Sequence, residues 1–166
     1  MLYEQIFGQL AQRKVRYLVI GGIAVNIHGY PRATGDLDIM ISLERDNINE
    51  FITLVKDLGF SPRIPVKIEE FGDPEKVEMW KKEKQLKVFS VYNPQNEFEH
   101  IDVMVENYID FDSAYSRREV VSARGIDIPV MDIDDLIELK RIAGRKRDEI
   151  DIKALQKIKE IKNEGR

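Results

Sequence analysis

The 166-residue chain contains no cysteine and only two histidines. Without thiols, the protein can form neither a disulfide framework nor a zinc or iron–sulfur site with thiolate ligands. With only two imidazoles, a histidine-rich metal site is also disfavoured. The composition therefore excludes the metal sites that depend on sulfur and argues against those that depend on nitrogen.

Long hydrophobic runs are absent as well. No apolar stretch approaches the roughly 18 residues that a membrane span needs, and the N-terminal sequence lacks a basic region followed by an apolar core. We therefore expect a soluble, cytoplasmic protein. Its 10 glycines and 6 prolines are scattered through a chain that is 43% hydrophobic, which is typical of globular composition. We expect residues 1–166 to form one domain, since single domains commonly have about 100–200 residues.

Charge of one sign is not in large excess, and the formal net charge is -4. This value argues against a surface that binds nucleic acid by bulk electrostatic attraction. A local basic patch remains compatible with it.

The hydrophobic periodicity predicts helices that alternate with short strands. The predicted helical segments are 3–13, 23–29, 46–58, 111–117, 133–143 and 149–162. The predicted strands are 15–20, 37–43, 86–92, 100–105, 119–123 and 126–130. For the middle, from about 60 to 84, three prolines and mixed charge lead us to expect mostly loop with a short strand or helix inside. The sum is an α+β fold, a mixed sheet flanked by helices, with a C-terminal helix pair at about 133–163.

Two carboxylates stand out at the start of the second predicted strand. Residues i and i+2 of a strand point to the same face, so Asp36 and Asp38 lie roughly 7 Å apart at their Cα atoms. Such a pair repels, and the pKa of one member rises unless a cation lies between them. Oxygen ligands with open coordination positions favour Mg²⁺ or Mn²⁺ over zinc. We therefore predict a metal site here.

A third carboxylate, Asp102, lies between two apolar residues on a later strand that can pair with the first. Three carboxylates could then converge at one end of the sheet. That arrangement suits a two-metal site for in-line phosphoryl displacement. Asp36, Asp38 and Asp102 are accordingly our candidate catalytic and metal-binding residues.

A glycine pair, Gly21 and Gly22, lies where a strand ends and a helix begins. Without side chains, the backbone N–H groups can approach an anion at the helix N-terminus. The pair alone matches neither a dinucleotide-binding nor a Walker pattern. Its meaning comes from the nearby Asp-x-Asp, because one turn would hold the phosphates of a nucleoside triphosphate while the next strand holds the metals.

With these residues the chain resembles the nucleotidyltransferase superfold of DNA polymerase beta and its minimal relatives. Their pattern is Gly-Gly or Gly-Ser, about nine to thirteen residues, and then Asp-x-Asp, with a third carboxylate on a later strand. The segments Gly-Gly-Ile-Ala at 21–24, His-Gly at 28–29 and Arg-Ala-Thr-Gly-Asp-Leu-Asp at 32–38 look like the bacterial and archaeal group related to AbiEii-type toxins. The segment at 135–151 is similar to that group's Leu-x-x-x-Lys and Arg-Asp-x-x-Asp segment.

The resemblance implies that Lys140 contacts the nucleotide phosphates, although the helical pattern alone places it on a solvated polar face. Arg32 and Thr34 could also bind phosphate, or they could simply form the turn before the strand. We interpret His28 as a partly buried helix residue bonded to a backbone carbonyl. His100 is interpreted as a surface residue and not as a metal ligand.

The function that these features favour is a Mg²⁺-dependent nucleotidyltransferase that moves a nucleoside monophosphate from an NTP to an acceptor hydroxyl and releases pyrophosphate. The acceptor could be RNA, a protein hydroxyl or a small molecule. One alternative is a protein of this fold that binds a nucleotide or a partner protein without turnover, as in a toxin–antitoxin pair. A second is a metal-dependent phosphodiesterase that uses the same carboxylates.

Overall fold

The computed structural model describes residues 3–165. The α-helices of this part of the chain are α1 (Glu4–Gln12), α2 (Gly21–His28), α3 (Arg45–Asp57), α4 (Pro74–Lys84), α5 (Phe111–Arg117), α6 (Ile133–Ala143) and α7 (Lys146–Glu164). Its strands are β1 (Tyr17–Val19), β2 (Leu37–Ile41), β3 (Ser61–Pro62), β4 (Val88–Asn93), β5 (Asn96–Met104), β6 (Glu119–Ala123) and β7 (Ile126–Val130). The predicted succession of helices and strands is confirmed outside the middle of the chain.

The strands form one mixed sheet in the order β3-β4-β5-β2-β1-β7-β6. Strand β2 lies near its centre, parallel to β5 on one side and antiparallel to β1 on the other. Strands β4 and β5, which follow one another in the chain, pair antiparallel. The strand that carries the Asp-x-Asp pair is therefore held on both edges.

One face of the central strands carries the hydrophobic core. Leu37 and Ile39 of β2 and Ile101 and Val103 of β5 are fully buried. Because side chains alternate along a strand, Asp38 and Asp102 point to the opposite face. The alternation that builds the core thus also places the carboxylates outside it.

The segment from 60 to 84 contains more structure than expected, and the loop prediction there is wrong. A 3₁₀ helix covers Ile68–Gly72, and helix α4 follows it. The side chain of Asp73 caps α4 by accepting hydrogen bonds from the backbone N–H groups of Glu75 and Lys76, and Pro74 takes the first helical position. An Asp-Pro start is a helix signal, which the neighbouring prolines and charges obscured.

Trp80 packs into the core from α4. It is 2% exposed and stacks on Phe89 of β4 at 5.8 Å between ring centroids. Phe71 also stacks on Phe89, at 4.6 Å between ring centroids. These aromatic contacts attach the middle segment to the core face of the sheet.

The C-terminal helix pair is confirmed, and both helices pack against α2. Helix α6 begins after Asp132, whose side chain accepts a hydrogen bond from the backbone N–H of Asp134, and ends at Gly144 with φ 62°. Helix α7 starts three residues before the predicted 149, because Asp148 reaches back to accept a hydrogen bond from the backbone N–H of Arg145 at 3.1 Å. No helix within 3–165 is long and apolar enough to cross a membrane.

Candidate active site

Strand pairing brings two of the three predicted carboxylates together. In the parallel register of β2 and β5, Asp38 lies directly beside Asp102. Both side chains are half-buried, and Asp36 lies exposed immediately before β2. The three carboxylates therefore lie at one region of the sheet, on the face opposite the core.

The pKa of Asp38 shows that this charge is poorly compensated. Burial, followed by repulsion from Asp102 and Asp36, raises its pKa to about 6, against the weaker opposing influence of Arg145 and Lys140. A carboxylate in this state favours either a proton or a cation. Arg145 and Lys140 thus compensate the charge of Asp38 only in part, and within residues 3–165 neither Asp38 nor Asp102 forms an ion pair.

Ser90 is a site residue that sequence reasoning missed. It lies opposite Asp102 in the β4–β5 register, and its Oγ donates a hydrogen bond to Oδ1 of Asp102 at 2.5 Å. The bond fixes the orientation of that carboxylate and occupies one of its oxygens. The available signal was a serine at an alternating position of β4, on the face opposite buried Phe89 and Val91.

The donor set fits a hard divalent cation in its chemistry but is not a closed metal cage. Within the part of the chain that the structure describes, no three acidic or histidine side chains are close enough together to form a ready ligand group. Asp38 and Asp102 supply adjacent carboxylate oxygens, which Mg²⁺ and Mn²⁺ prefer. Asp36, exposed at the strand start, would have to turn toward them to complete the set.

Gly21 packs directly against the carboxylate of Asp38. A Cβ at Gly21 would lie 2.0 Å from Oδ2 of Asp38, and the residue has φ +65°. The backbone N–H of Ile20 also donates to the carbonyl of Asp38 at 3.0 Å. Only glycine meets both demands, since other residues disfavour positive φ and would overlap the carboxylate. The start of α2 is thereby fixed beside the acidic cluster.

Gly22 makes a similarly close contact with the loop that precedes β2. A Cβ at this position would lie 2.5 Å from Oγ1 of Thr34 and 3.0 Å from Nη2 of Arg32. No side chain caps the N-terminus of α2, whose N-cap residue is Ile20. The first N–H groups of a helix have no intrahelical partner and favour anions. The glycine pair therefore presents bare backbone donors next to Asp38.

Lys140 is buried, so its assignment to a solvated polar face is wrong. Its side chain is 4% exposed and forms ion pairs with Asp151 at 2.8 Å and Asp148 at 3.4 Å. Both acids come from α7, which folds back along α6. The helical pattern of α6 alone could not reveal this, because the burial is produced by the neighbouring helix. Its contact with nucleotide phosphates stays a prediction.

Arg32 joins the same buried network from the loop before β2. Its Nη2 donates to Oδ2 of Asp151 at 3.0 Å, and its Nε lies 2.9 Å from Oδ1 without the alignment of a hydrogen bond. Asp151 thus joins α7 to the loop and to α6. Of the predicted phosphate ligands, Arg32 is therefore already paired, whereas Thr34 lies against Gly22.

Asp148 shows the opposite electrostatics to Asp38. Burial alone would raise its pKa, but the hydrogen bond and charge of Arg145, together with the charge of Lys140, outweigh that effect and lower the pKa. Arg145 itself remains largely exposed. The α6–α7 junction is therefore a compensated charge network beside an uncompensated one.

The two histidines make hydrogen bonds away from the acidic cluster. His28 is buried, and its Nε2–H donates to the carbonyl of Met131 at 2.8 Å, which confirms its structural interpretation. His100 lies on β5 next to Arg63, whose Nη2 is 2.7 Å from Nδ1. Neither imidazole belongs to a cluster of potential metal ligands among residues 3–165.

Tyr3 anchors the loop that delivers Asp36. Its hydroxyl donates a hydrogen bond to the carbonyl of Gly35 and accepts one at 3.3 Å from the backbone N–H of His100. This ties the residue before Asp36 to β5. Sequence reasoning assigned Tyr3 only to an amphipathic helix.

A cavity of about 390 Å³ opens beside these groups. Gly21 and Asp38 lie on its wall together with Val88 of β4, Met104 of β5 and several residues of α6. The site therefore combines an acidic cluster, bare backbone donors and an adjoining cavity.

Comparison with known proteins identifies the fold. No protein-family model and no curated protein sequence matches the chain. The structure of lincosamide antibiotic adenylyltransferase LnuA, bound to lincomycin, matches with a TM-score of 0.62 and 16% identity over 95% of this chain and 96% of that one. ANT(2″)-Ia in complex with adenylyl-2″-tobramycin matches with a TM-score of 0.59 and 13% identity, over 95% and 91% of the two chains.

A third match is an antigenic nucleotidyltransferase-like protein from Paracoccidioides brasiliensis. Its TM-score is 0.57 at 17% identity, and the match covers 92% of this chain and 71% of that one. At such identities the likeness establishes the architecture alone. The chain has the α+β, polymerase beta-like nucleotidyltransferase fold.

Proposed function

We propose that the protein is a Mg²⁺-dependent nucleotidyltransferase that moves a nucleoside monophosphate from an NTP to an acceptor hydroxyl. The observation that carries the proposal is the position of Asp38, which lies beside Asp102 in the sheet and against Gly21 at the uncapped start of α2. Carboxylates for a metal and N–H donors for phosphate thus meet at one residue. A fold-level likeness alone would not support an activity.

The carboxylates Asp36, Asp38 and Asp102 would hold Mg²⁺ or Mn²⁺, which when bound supplies positive charge to the reacting phosphoryl group. The N–H groups of Gly21 and Gly22 would donate to phosphate oxygens at the start of α2. The acceptor oxygen attacks the α-phosphorus, and the bond from that phosphorus to the pyrophosphate oxygen breaks.

Asp102 is the residue that we assign to the acceptor. Ser90 already donates to Oδ1 of Asp102, which leaves Oδ2 to accept the hydrogen bond of the acceptor hydroxyl. The proton of that hydroxyl would pass to Oδ2 and then to solvent as the new P–O bond forms. Ser90 therefore acts as a positioning residue.

In their present positions, Lys140 and Arg32 would not contact the phosphates directly. They would instead add positive charge near them. Both are paired with Asp151, so their net effect on an anion is reduced. Thr34, whose Oγ1 lies next to Gly22, is better placed to reach a phosphate oxygen. These nucleotide contacts belong to the proposal.

The acceptor class stays open between RNA, a protein hydroxyl and a small molecule. Two matched structures contain lincomycin and adenylyl-2″-tobramycin, which favours testing small hydroxylated compounds first. The resemblance to the AbiEii-related group favours testing RNA and a toxin–antitoxin partner. Binding of a nucleotide or partner without turnover is the alternative in that setting.

The test is transfer of label from each of the four NTPs, labelled at the α-phosphate, to components of a cell extract in the presence of Mg²⁺. The wild-type chain should label one class of acceptor, and Asp38→Asn and Asp102→Asn should each reduce the rate at least about a thousandfold, since several kcal/mol of charge stabilisation are lost. Ala11→Phe, at an exposed position of α1, is the control and should keep the rate.

The assay separates the alternatives. Tight NTP binding with no labelled product under any acceptor would favour the binding protein. Cleavage of a nucleic acid without any NTP would favour the phosphodiesterase. Turnover that survives Asp38→Asn would contradict the proposed roles of the carboxylates.

A further inference from the structure

The cavity beside Asp38 lies between the sheet and α6. Its walls are mainly apolar and come from both sides, with Val88 and Met104 from the sheet and Leu136 and Leu139 from the helix. Its volume of about 390 Å³ falls in the range of about 300–1,000 Å³ that small-ligand sites occupy. An apolar slot of this size suits a ring system better than a chain of phosphates.

Two large apolar side chains stand at the cavity with much of their surface uncovered. Tyr108, which follows β5, and Ile142 of α6 both line it, and each is 45% exposed. Most other large apolar residues of the described chain are buried in the core. A flat ligand with apolar faces would cover both, and aromatic rings stack well on such faces.

The charges around the cavity favour an anionic ligand. Lys87, Lys140 and Arg145 line it, whereas Asp38 is the one acidic residue on its wall. Lys140 is compensated by α7, and Arg145 pairs with Asp148 but keeps an exposed side chain. Lys87 forms no ion pair with a residue of 3–165. The ligand therefore combines an apolar, flat part with negative charge.

The wall also fixes which way such a ligand points. Gly21 and Asp38 lie on it, but Asp36 and Asp102 do not. A ligand whose flat part fills the cavity would thus extend its charged part past Asp38 to the start of α2. Asp102 lies beside Asp38 in the sheet, and Ser90 lies beside Asp102. Neither lines the cavity, so we assign their side of the cluster to the acceptor.

We infer that this cavity takes the nucleoside half of the NTP, with the base between Tyr108 and Ile142 and the phosphates at Gly21 and Gly22. The inference rests on the proposed function and adds to it the position of the base and the residues that hold it. Lys87, a donor at the cavity, would face a carbonyl oxygen or ring nitrogen of the base.

The test compares two kinds of ligand, a triphosphate that carries a nucleoside and one that does not. Each of the four NTPs and inorganic tripolyphosphate are titrated in the presence of Mg²⁺ by calorimetry, without acceptor. The wild-type chain should bind at least one NTP more tightly than tripolyphosphate. The ratio of the two dissociation constants reports the nucleoside contribution alone.

The variant Ala143→Phe fills the cavity from the exposed last residue of α6. It should lower NTP affinity at least tenfold and leave tripolyphosphate affinity within twofold, so that the ratio approaches one. Ala11→Phe makes the same change in the last turn of α1, also at an exposed position, and should behave as the wild-type chain. Tyr108→Ala should lower NTP affinity about tenfold, the size of a lost base–aromatic stack.

The outcomes keep the two proposals apart. If Ala143→Phe and Tyr108→Ala both keep the wild-type ratio, the nucleoside lies elsewhere and the cavity assignment is overturned, while the transferase proposal stands. A folded Ala143→Phe that loses tripolyphosphate as strongly as NTP would place phosphates in the cavity and overturn it too. A wild-type chain that binds neither ligand overturns the proposed function itself.

Discussion

Two groups of acidic side chains lie on either side of the Gly21-Gly22 turn, and they differ in their partners. Asp148 and Asp151 of α7 are only 1% and 2% exposed, yet cations surround them. Asp38 and Asp102 on the sheet are less buried, but neither forms an ion pair with any residue from 3 to 165. The more deeply buried acids are the better compensated ones.

The difference in ion pairing distinguishes acids that hold the fold together from acids that are candidates for a functional role. A buried charge without a partner costs several kcal/mol, so acids that hold elements together come with cations. Acids that the fold leaves without cations repel one another, and such an unfavourable cluster is typical of a site that binds a cation or takes part in a reaction. The α7 acids join α6, α7 and the loop before β2, whereas the sheet acids form no ion pair with any residue from 3 to 165.

The largest effect on stability is expected when the α7 acids, Asp148 and Asp151, lose one charge. Asp151→Asn leaves Lys140 and Arg32 with one acid fewer, and removal of one partner from a buried pair destabilises by about 3–5 kcal/mol. We expect a loss of this size in the free energy of unfolding, measured by urea denaturation. The proposed nucleotide site should loosen as well, since Asp151 binds Arg32 of the loop that carries Thr34.

Asp134→Asn is the matched control. Asp134 pairs with Lys159 on the surface at 2.5 Å, with both side chains about half exposed. Exposed pairs contribute roughly 0–1 kcal/mol, so this variant should lose little. Equal losses for the two variants would show that the buried network does not hold the helices together.

An Asp→Asn change at Asp38 should have the opposite effect on the free energy of unfolding and stabilise the metal-free protein. The pKa of Asp38 rises from the ordinary 3.8 to about 6 in the folded protein, so the folded state binds this proton more tightly than the unfolded chain. The group therefore destabilises the metal-free protein progressively as pH rises from about 4 to 7. Two pKa units correspond to at most about 3 kcal/mol.

We therefore expect Asp38→Asn, in buffer with EDTA, to be more stable than the wild-type chain at pH 7 and equal to it near pH 4. Thermal unfolding at several pH values measures this difference. Added Mg²⁺ should raise the midpoint of the wild-type chain at pH 7 but not that of Asp38→Asn. A variant that is less stable than wild type at pH 7 would mean that Asp38 is compensated after all.

The sequence predicts the uncompensated group better than the compensated one. Alternation along β2 and β5 is a local property, so the common face of Asp36, Asp38 and Asp102 follows from residue spacing once the strands pair. The glycine pair is also visible in the sequence, because it follows β1 directly, but its contact with Asp38 requires β2 to pair with β1.

The compensated group depends on packing between elements. Lys140 looks solvated within α6 and becomes buried only when α7 brings Asp148 and Asp151 against it. The same holds for Trp80, whose burial requires Phe89 from a distant strand. Spacing in one element carries no information about which other element covers it.

The smallest effect concerns the hydrogen bond that the carboxylate of Asp102 receives from the hydroxyl of Ser90. Ser90→Ala removes the donor to Oδ1 of Asp102 but leaves the carboxylate in place. Loss of an outer hydrogen bond to a metal-ligating group costs roughly 10–100-fold, and we expect the lower end, because Ser90 is half-buried and water can replace it. The measurement is the rate of label transfer at saturating NTP.

Ser90→Thr keeps the hydroxyl and suits a strand position, so it should restore most of the rate. NTP affinity should be unchanged in both variants, because Ser90 contacts Asp102, which we have proposed to serve the acceptor. If Ser90→Ala lost as much activity as Asp102→Asn, the sheet acids would depend on this bond as strongly as the α7 acids depend on their cations. The sheet acids and the α7 acids would then differ only in the kind of partner, a hydroxyl for one and cations for the other.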